Sequence, residues 1–244
     1  MYKKFLIFLI IIFFQSSSLY SREFNYEAYG LNINFMKIKF KETDSKIYSI
    51  INSKGLVGYF VNFQNIIQTT FEKRNNSISY YFNLQKKNKE KIYQYKKINN
   101  IVDAKKLKFN KGVEYQTIEP SHLGNTVDPL TAVKQILFND KLNSKCNGNT
   151  KIYDGDDVYR VYLTPKKMNK LQVDYGKIKY QTTFSCRANY EAISGHKLKR
   201  TAKLNSLYLD VYFSKVNSKV IPVYFETKAK VIPIKMYLST VLSP

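Results

Sequence analysis

The stretch KIKYQTTFSCRANYEAISGHK, Lys177 to Lys197, alternates in character along most of its length. Ile178, Tyr180, Thr182, Phe184, Cys186, Ala188 and Tyr190 share one parity, and Lys179, Gln181, Thr183, Ser185, Arg187 and Asn189 share the other. Side chains of a strand point alternately to opposite faces, so the pattern predicts a strand with one buried face and one wet face. At roughly 3.3 Å per residue, such a strand reaches roughly 43 Å, whereas ordinary strands run to about ten residues. A strand of that length bends, as in a barrel or a curled sheet. The same stretch holds one of the two cysteines and one of the two histidines of the chain. It therefore raises a choice between a reactive thiol beside an imidazole and a strand carrying a covalent staple.

Working outward, the period of two recurs. Leu207, Leu209, Val211 and Phe213 oppose Tyr208, Asp210 and Tyr212. Val223, Phe225, Thr227, Ala229 and Val231 oppose Tyr224, Glu226, Lys228 and Lys230, with Pro222 and Pro233 expected at the ends of that strand. Near the N-terminus the phase slips: Leu31, Ile33 and Phe35 are odd, whereas Met36, Ile38 and Phe40 are even. A slip would turn the core face outward unless a residue is bulged, so a bulge or bend is predicted near Phe35 and Met36. Tyr48–Phe60 and Ser77–Leu84 read as further strands. Lys86–Lys111 carries ten lysines against Glu90 and Asp103, and reads as a strand near Lys91–Lys97 followed by an exposed loop, its edge guarded by charge. In TVDPLTAVKQILF, Asp128 is a suitable N-cap, Pro129 falls at the first helical position, and Leu130, Val133, Ile136 and Leu137 form an apolar stripe. The fold class is all-β: an antiparallel barrel or strongly curled sheet with one short helix at about residues 129–138.

Tyr2-Lys3-Lys4, the apolar run Phe5–Phe14 and the polar cluster Gln15–Ser18 follow the order of a secretory signal peptide. The run is short for a membrane span, which takes about 20 residues. Residues 1–21 are assigned as the leader, with cleavage after Ser18 or Ser21, and residues 22–244 as a single exported β domain. The formal net charge is +22, carried mostly by lysine, with arginine only at 22, 74, 160, 187 and 200. Readers of phosphates and bases lean on arginine forks, and export argues against nucleic acid as a partner. A cationic surface attracts anionic lipid headgroups or acidic envelope polymers, over about 8 Å at physiological salt.

Cys186 shares its face with Phe184 and Tyr190, so its sulfur points to the core. A catalytic thiol needs an electropositive setting, and ten residues of extended chain separate Cys186 from His196. In an oxidising compartment with one other cysteine present, a Cys146–Cys186 disulfide is expected. It closes a loop of about 40 residues, a constraint of roughly 4 kcal/mol in the chain-entropy model. Cys146, Cys186, His122 and His196 are zinc-ligand types but lack any close pair, and no metal is assigned. Asp154, Asp156 and Asp157 lack the spacing of a calcium loop, and Asp154-Gly155 is a hairpin-turn signal. No serine nucleophile elbow, phosphate-cradling glycine loop or zinc-protease motif occurs. No catalytic residue and no cofactor is assigned.

HLGNTVDPLTAV, CNGNTKIYDGDDVYRV and FSCRANYEAISGHK together resemble successive blocks of domain-of-unknown-function family 3108, exported proteins of Gram-negative bacteria. The matching positions are Asp128, Pro129, Leu130, Cys146, Tyr153, Asp154, Gly155, Tyr159, Cys186, Tyr190, Gly195 and His196; Val158 stands where relatives often carry a basic residue. The resemblance implies a periplasmic, β-rich protein and no particular reaction. The functional expectation is a non-enzymatic binder or carrier of an apolar or lipid-like ligand, held in a curled sheet that its own side chains do not fill, or an envelope assembly factor. An envelope enzyme acting on a glycan, through Asp154, Asp157 and His196, is the alternative. A small outer-membrane barrel is the third reading.

Overall fold

The computed structural model describes residues 21–242, apart from 61, 73, 75, 87–88, 100, 109–111, 116–117, 140, 168–170 and 230–231. The leader therefore lies outside the described residues, except for Ser21, which opens the first strand. The N-terminal half is a meander: β1 (Ser21–Gly30), β2 (Ile33–Thr43), β3 (Lys46–Ser53), α1 (Gly55–Phe60), β4 (Phe63–Glu72), β5 (Ser77–Lys86), β6 (Lys89–Ile98), β7 (Ile101–Lys108) and β8 (Gly112–Tyr115). Two helices follow, α2 (Pro120–Leu123) and α3 (Pro129–Leu137). The second half contains β9 (Asn149–Tyr153), β10 (Val158–Pro165), β11 (Gln172–Tyr175), β12 (Ile178–Ser194), α4 (Leu198–Asn205), β13 (Tyr208–Val216), β14 (Lys219–Ala229) and β15 (Ile232–Leu242).

These strands form one sheet in the order β8-β7-β6-β5-β4-β3-β2-β1-β15-β14-β13-β12-β10-β9, with β11 paired to the start of β12. Its strand pairs are antiparallel, and the first strand pairs with the last, so the two halves are zipped together at the middle of the sheet. The sheet curls without closing. Bulges supply much of the bend, since each inserts an unpaired residue and raises the local twist. The predicted slip is one of them: Ala28 faces Met36 and Tyr29 faces Asn34, leaving Phe35 extra. Others skip Ser239 in β15, Thr183 in β12 and Val223 in β14. The bulge at Thr183 breaks the 17-residue β12 into two differently directed parts.

Helix α3 lies inside the curl. The Asp128 carboxylate accepts from the amides of Leu130 and Thr131, both at 3.0 Å, and Pro129 stands just inside the helix start. Leu130, Ala132 and Ile136 are buried. Beyond the helix, Phe138 stacks on Phe40 at 5.0 Å and leans on Phe24 at 4.5 Å. Glu42, with its side chain 2% exposed, joins Arg22 at 2.9 Å and Lys134 at 2.6 Å, tying the helix to β1 and β2. A buried carboxylate of this kind persists only when paired, and loss of one partner costs about 3–5 kcal/mol. The concave face is thus occupied by α3, Phe138, Leu142 and the aromatic residues of β1 and β2.

Several expectations need correction. The strand read over Tyr48–Phe60 ends at Ser53, and Gly55, at φ +60, turns the chain into α1. The lysine tract contains no simple loop after its first strand; β6 and β7 form a hairpin there. Pro222 sits within β14 at the bulge rather than at the strand end, a position where a missing N–H is tolerated; Val231 lies outside the described residues. The expected helix is α3, and α1, α2 and α4 are additional short ones. The wet face is not wet throughout: Asp210, Tyr212, Ser214 and Tyr224 are buried on it. Several segments cover it: Lys166 bonds Asp210 and Tyr212, Arg187 bonds Asp210, the Gln181 carbonyl in early β12 accepts from Ser214, and the hairpin of β11 and early β12 reaches β15 as a flap, with Tyr175 on Tyr237.

Candidate functional site

Two regions gather the polar and aromatic chemistry. The first is a corner where the β9–β10 turn meets the turn after β12, against β5 and β6. Most residues singled out by motif lie in it. The Asp154 carboxylate accepts from the amides of Asp156 and Asp157 at 2.9 Å each, so the acidic cluster is an Asx-type turn, as expected. Burial raises the pKa of Asp154 against the lowering effect of those two bonds. His196 Nδ1 lies 3.2 Å from Asp157, and Nε2 lies 3.1 Å from the Tyr190 hydroxyl. With Nδ1–H donated to Asp157, Nε2 accepts from tyrosine. Burial, reinforced by Asp157 and Asp154, pushes the Tyr190 pKa far up, so the phenol stays protonated and serves as a donor rather than a nucleophile. The His196 side chain is 6% exposed. Tyr159 stacks on Tyr190 at 4.8 Å.

The glycines explain why the corner is so specific. Gly195 has φ +85, and a Cβ there would lie 2.7 Å from the Asp156 carbonyl and 2.8 Å from the Asp157 carboxylate. Gly155 has φ +97, and a Cβ would lie 2.9 Å from Tyr93. Tyr93 donates to Asp156 at 2.8 Å and Tyr95 donates to the Tyr153 carbonyl at 3.0 Å, which fastens the turn to β6 across the curl. Tyr80, Tyr95, Tyr153 and Val158 pack together there with Ile118 and Leu123. Val158, at the position of the missing basic residue, is fully buried. Asp128 joins the region through Thr69, whose hydroxyl donates at 2.5 Å. The corner is a latch: the Asp154, Asp156, Asp157, Tyr93, Tyr190 and His196 side chains are spent on one another and on the turn's own backbone, while the buried Tyr153 hydroxyl is left without a hydrogen-bond partner among the described residues.

Cys146 and Cys186 form the expected disulfide, with Cα atoms 5.7 Å apart, and both are buried. They are therefore not zinc ligands. His122 sits half-buried in α2, and His196 is committed to the latch.

The second region was not foreseen. On the outer face, Tyr212, Tyr224 and Tyr237 stand opposite one another in adjacent strands, with ring centroids 5.1 and 5.0 Å apart. Tyr237 then meets Tyr29 of β1 at 5.7 Å and Tyr175 at the flap tip at 5.8 Å. Tyr212 and Tyr224 are buried, with Lys166 donating to the Tyr212 hydroxyl at 2.8 Å. The row emerges at Tyr29, Tyr175 and Tyr237, which line an open cleft of about 490 Å³ with Leu31, Asn32, Asp174, Gly176, Pro233 and Lys235. Glu27 underlies it, accepting from Tyr29 at 3.3 Å and from Lys54 at 3.1 Å, and also from Asn34. Burial works to raise the Glu27 pKa, but bonds from Tyr175 and Lys54 outweigh it and hold the carboxyl below the usual range. The Tyr29 and Tyr175 hydroxyls are thereby held on Glu27, and the rings share the cleft lining with Asn32, Asp174 and Lys235. A second groove, of about 520 Å³, is lined by Asn52, Ser53, Asn62, Phe63, Gln64 and Gln85 and is dominated by amides. The signal for the tyrosine row was present as tyrosines in the polar phase of three strands, but only the pairing order aligns them.

No family model matches the chain, and no curated protein matches it. Among solved structures it is similar to a β-barrel-like protein of domain of unknown function DUF1849 from Brucella abortus, with a TM-score of 0.58, 11% identity, and coverage of 93% of this chain and 98% of that one. It also aligns with a DUF1329 family protein from Desulfovibrio piger at 10% identity, covering 96% and 90%, but the TM-score of 0.29 carries no argument. The chain has the β-barrel-like, antiparallel fold of a bacterial domain of unknown function, in a curled and unclosed form.

Proposed function

We propose that the protein is a non-enzymatic binding protein of the Gram-negative periplasm, which carries a lipid-like amphiphile in the outer tyrosine cleft. The observation that carries this reading is the cleft itself: three tyrosine rings with Leu31 and Pro233 beside a lysine, Lys235. Its volume falls within the range of about 300–1,000 Å³ of ligand sites, and its lining mixes aromatic rings with Asn32, Asp174 and Lys235, as a site for an amphiphile requires. Apolar chain would lie on the rings, and an anionic head would meet Lys235. A ligand inside the curl is disfavoured because α3 and the phenylalanines of the core occupy that space. Export is supported by the leader pattern of residues 1–21 and by the disulfide. Kinship with family 3108 belongs to the same proposal and is supported by the blocks around Cys146 and Cys186.

The glycan-enzyme alternative finds its candidate residues in the latch, where His196 is buried and Asp154 is bonded to its own turn. An outer-membrane barrel needs a closed sheet with apolar residues outward; here the apolar faces of β1 and β13 point into the curl. The test is native mass spectrometry of the purified periplasmic protein with extraction of bound small molecules. An amphiphile carried by the native protein and lost from Tyr237→Ala is expected. A ligand-free native protein, or an amphiphile retained by that variant, would overturn the reading.

A further inference from the structure

The strand directions bring the β1–β2 turn, the β3–α1 junction and the β14–β15 turn to one end of the sheet. That end exposes large apolar side chains: Leu31 is 65% exposed, Ile33 48%, Ile232 41% and Tyr59 84%. Leu31 and Asn32 both have positive φ, 50° and 63°. A two-residue hairpin turn of this kind normally carries Asn, Asp or Gly at both positions; a leucine accepts backbone strain there to stand at the tip. The two hairpins touch, since a Cβ built on Gly30 lies 3.7 Å from Ile232. Single exposed apolar residues need no explanation, but several on adjoining tips form a patch. Around them Lys177 and Lys228 are exposed, alongside Lys54, which is paired with Glu27, and a single exposed carboxylate among the cleft residues, Asp174, in a chain of net charge +22.

We infer that this end docks on an anionic bilayer surface, with Leu31, Ile33 and Ile232 entering the headgroup layer and the neighbouring lysines meeting lipid phosphates. Apolar tips with a cationic rim are the combination that binds charged interfaces, where neither element suffices alone. Charge complementarity selects an anionic lipid surface over a protein face of mixed charge. The geometry also links docking to the cleft, because Leu31 and Pro233 line the cleft mouth at the same end. A docked protein would present that mouth to the bilayer. This link rests on the proposed cargo, whereas docking itself does not.

The experiment is flotation of the mature protein with vesicles of phosphatidylcholine, with and without phosphatidylglycerol. Binding is expected only to the phosphatidylglycerol vesicles. The double variant Leu31→Asn, Ile232→Ser should weaken it by about tenfold with an unchanged melting temperature; Asn suits the positive φ at position 31. Tyr237→Ala should float like the native protein, and an empty lipid extract beside intact flotation would sink the cargo proposal and leave docking standing. Native protein that floats with neither vesicle, or that pellets with isolated envelope polymer instead, overturns docking. So does a double variant that floats as well as the native protein, which would mean attraction by charge alone.

Discussion

The latch around His196 and the cleft around Tyr237 use similar residues to opposite ends. Both are rich in tyrosine and both contain carboxylates. In the latch, hydroxyls, carboxylates and imidazole face one another, and the glycines leave no room for a methyl group. In the cleft, the Tyr29 and Tyr175 hydroxyls bond Glu27, and the tyrosine rings line an open space together with Asn32, Asp174 and Lys235. Gly176 at the flap tip, at φ +58, has nothing within 4 Å of a built Cβ. The contrast teaches that the recognisable motif residues mark where the chain must pack closely. The surface able to meet a ligand is made by a flap laid over the outside of the sheet.

The largest effect that would test this contrast is removal of the disulfide. Cys146 and Cys186 are separated by 40 residues, and their bond anchors the segment beside the latch. Replacing both by serine should cost about 4 kcal/mol, read from the urea midpoint, with the cleft ligand lost only through unfolding. Next, Gly195→Ala should cost about 3 kcal/mol, combining positive φ with a clash against backbone. Gly176→Ala, its counterpart in the cleft, should cost about 1 kcal/mol. Equal losses at the two glycines would erase the distinction. Asp128→Ala should cost about 2 kcal/mol, from the lost cap and the stranded Thr69 hydroxyl.

A smaller effect concerns pH. Asp210, on the outer face, is subject to burial that raises its pKa, yet bonds from Arg187 and Lys166 outweigh it and leave the carboxyl below its usual range. The folded state therefore binds its proton less readily than the unfolded chain. Its contribution is present at neutral pH and is lost as pH falls from the ordinary carboxylate range through the lowered folded value. Comparing acid denaturation of the native protein with Asp210→Asn should show a shallower loss in the variant. Tyr237→Ala, which removes ring contacts to Tyr29, Tyr175 and Tyr224, should cost about 2 kcal/mol and should have the largest effect of these changes on ligand retention.

Much of the fold was legible because alternation reports burial directly. The strand through Cys186, the bulge at Phe35, the cap at Asp128 and the disulfide each follow from local pattern or from cysteine count. The Tyr48–Phe60 error arose because Leu56, Val57, Tyr59 and Phe60 keep the stretch apolar after the strand has ended at Ser53, and Gly55, at positive φ, turns the chain into α1. The latch was visible as residues but not as a latch, since the contacts of Tyr93 with Asp156 and Gly155 join positions more than sixty apart. The cleft was hidden for a stronger reason. Alternation assumes one wet face, and neither the flap that reaches β15 nor the bonds of Lys166 and Arg187 across that face leave a mark in a period of two. Tyr212 and Tyr224 therefore read as exposed although they are buried.

The central claim is that a lipid-like ligand occupies the outer cleft and not the concave interior. Photo-crosslinking of the native protein with a diazirine-bearing fatty acid, mapped residue by residue by tandem mass spectrometry, tests it directly. Adducts concentrated on Tyr29, Tyr175 and Tyr237 are predicted. Adducts on Phe24, Phe40 and Phe138, or on the residues around His196, would contradict it.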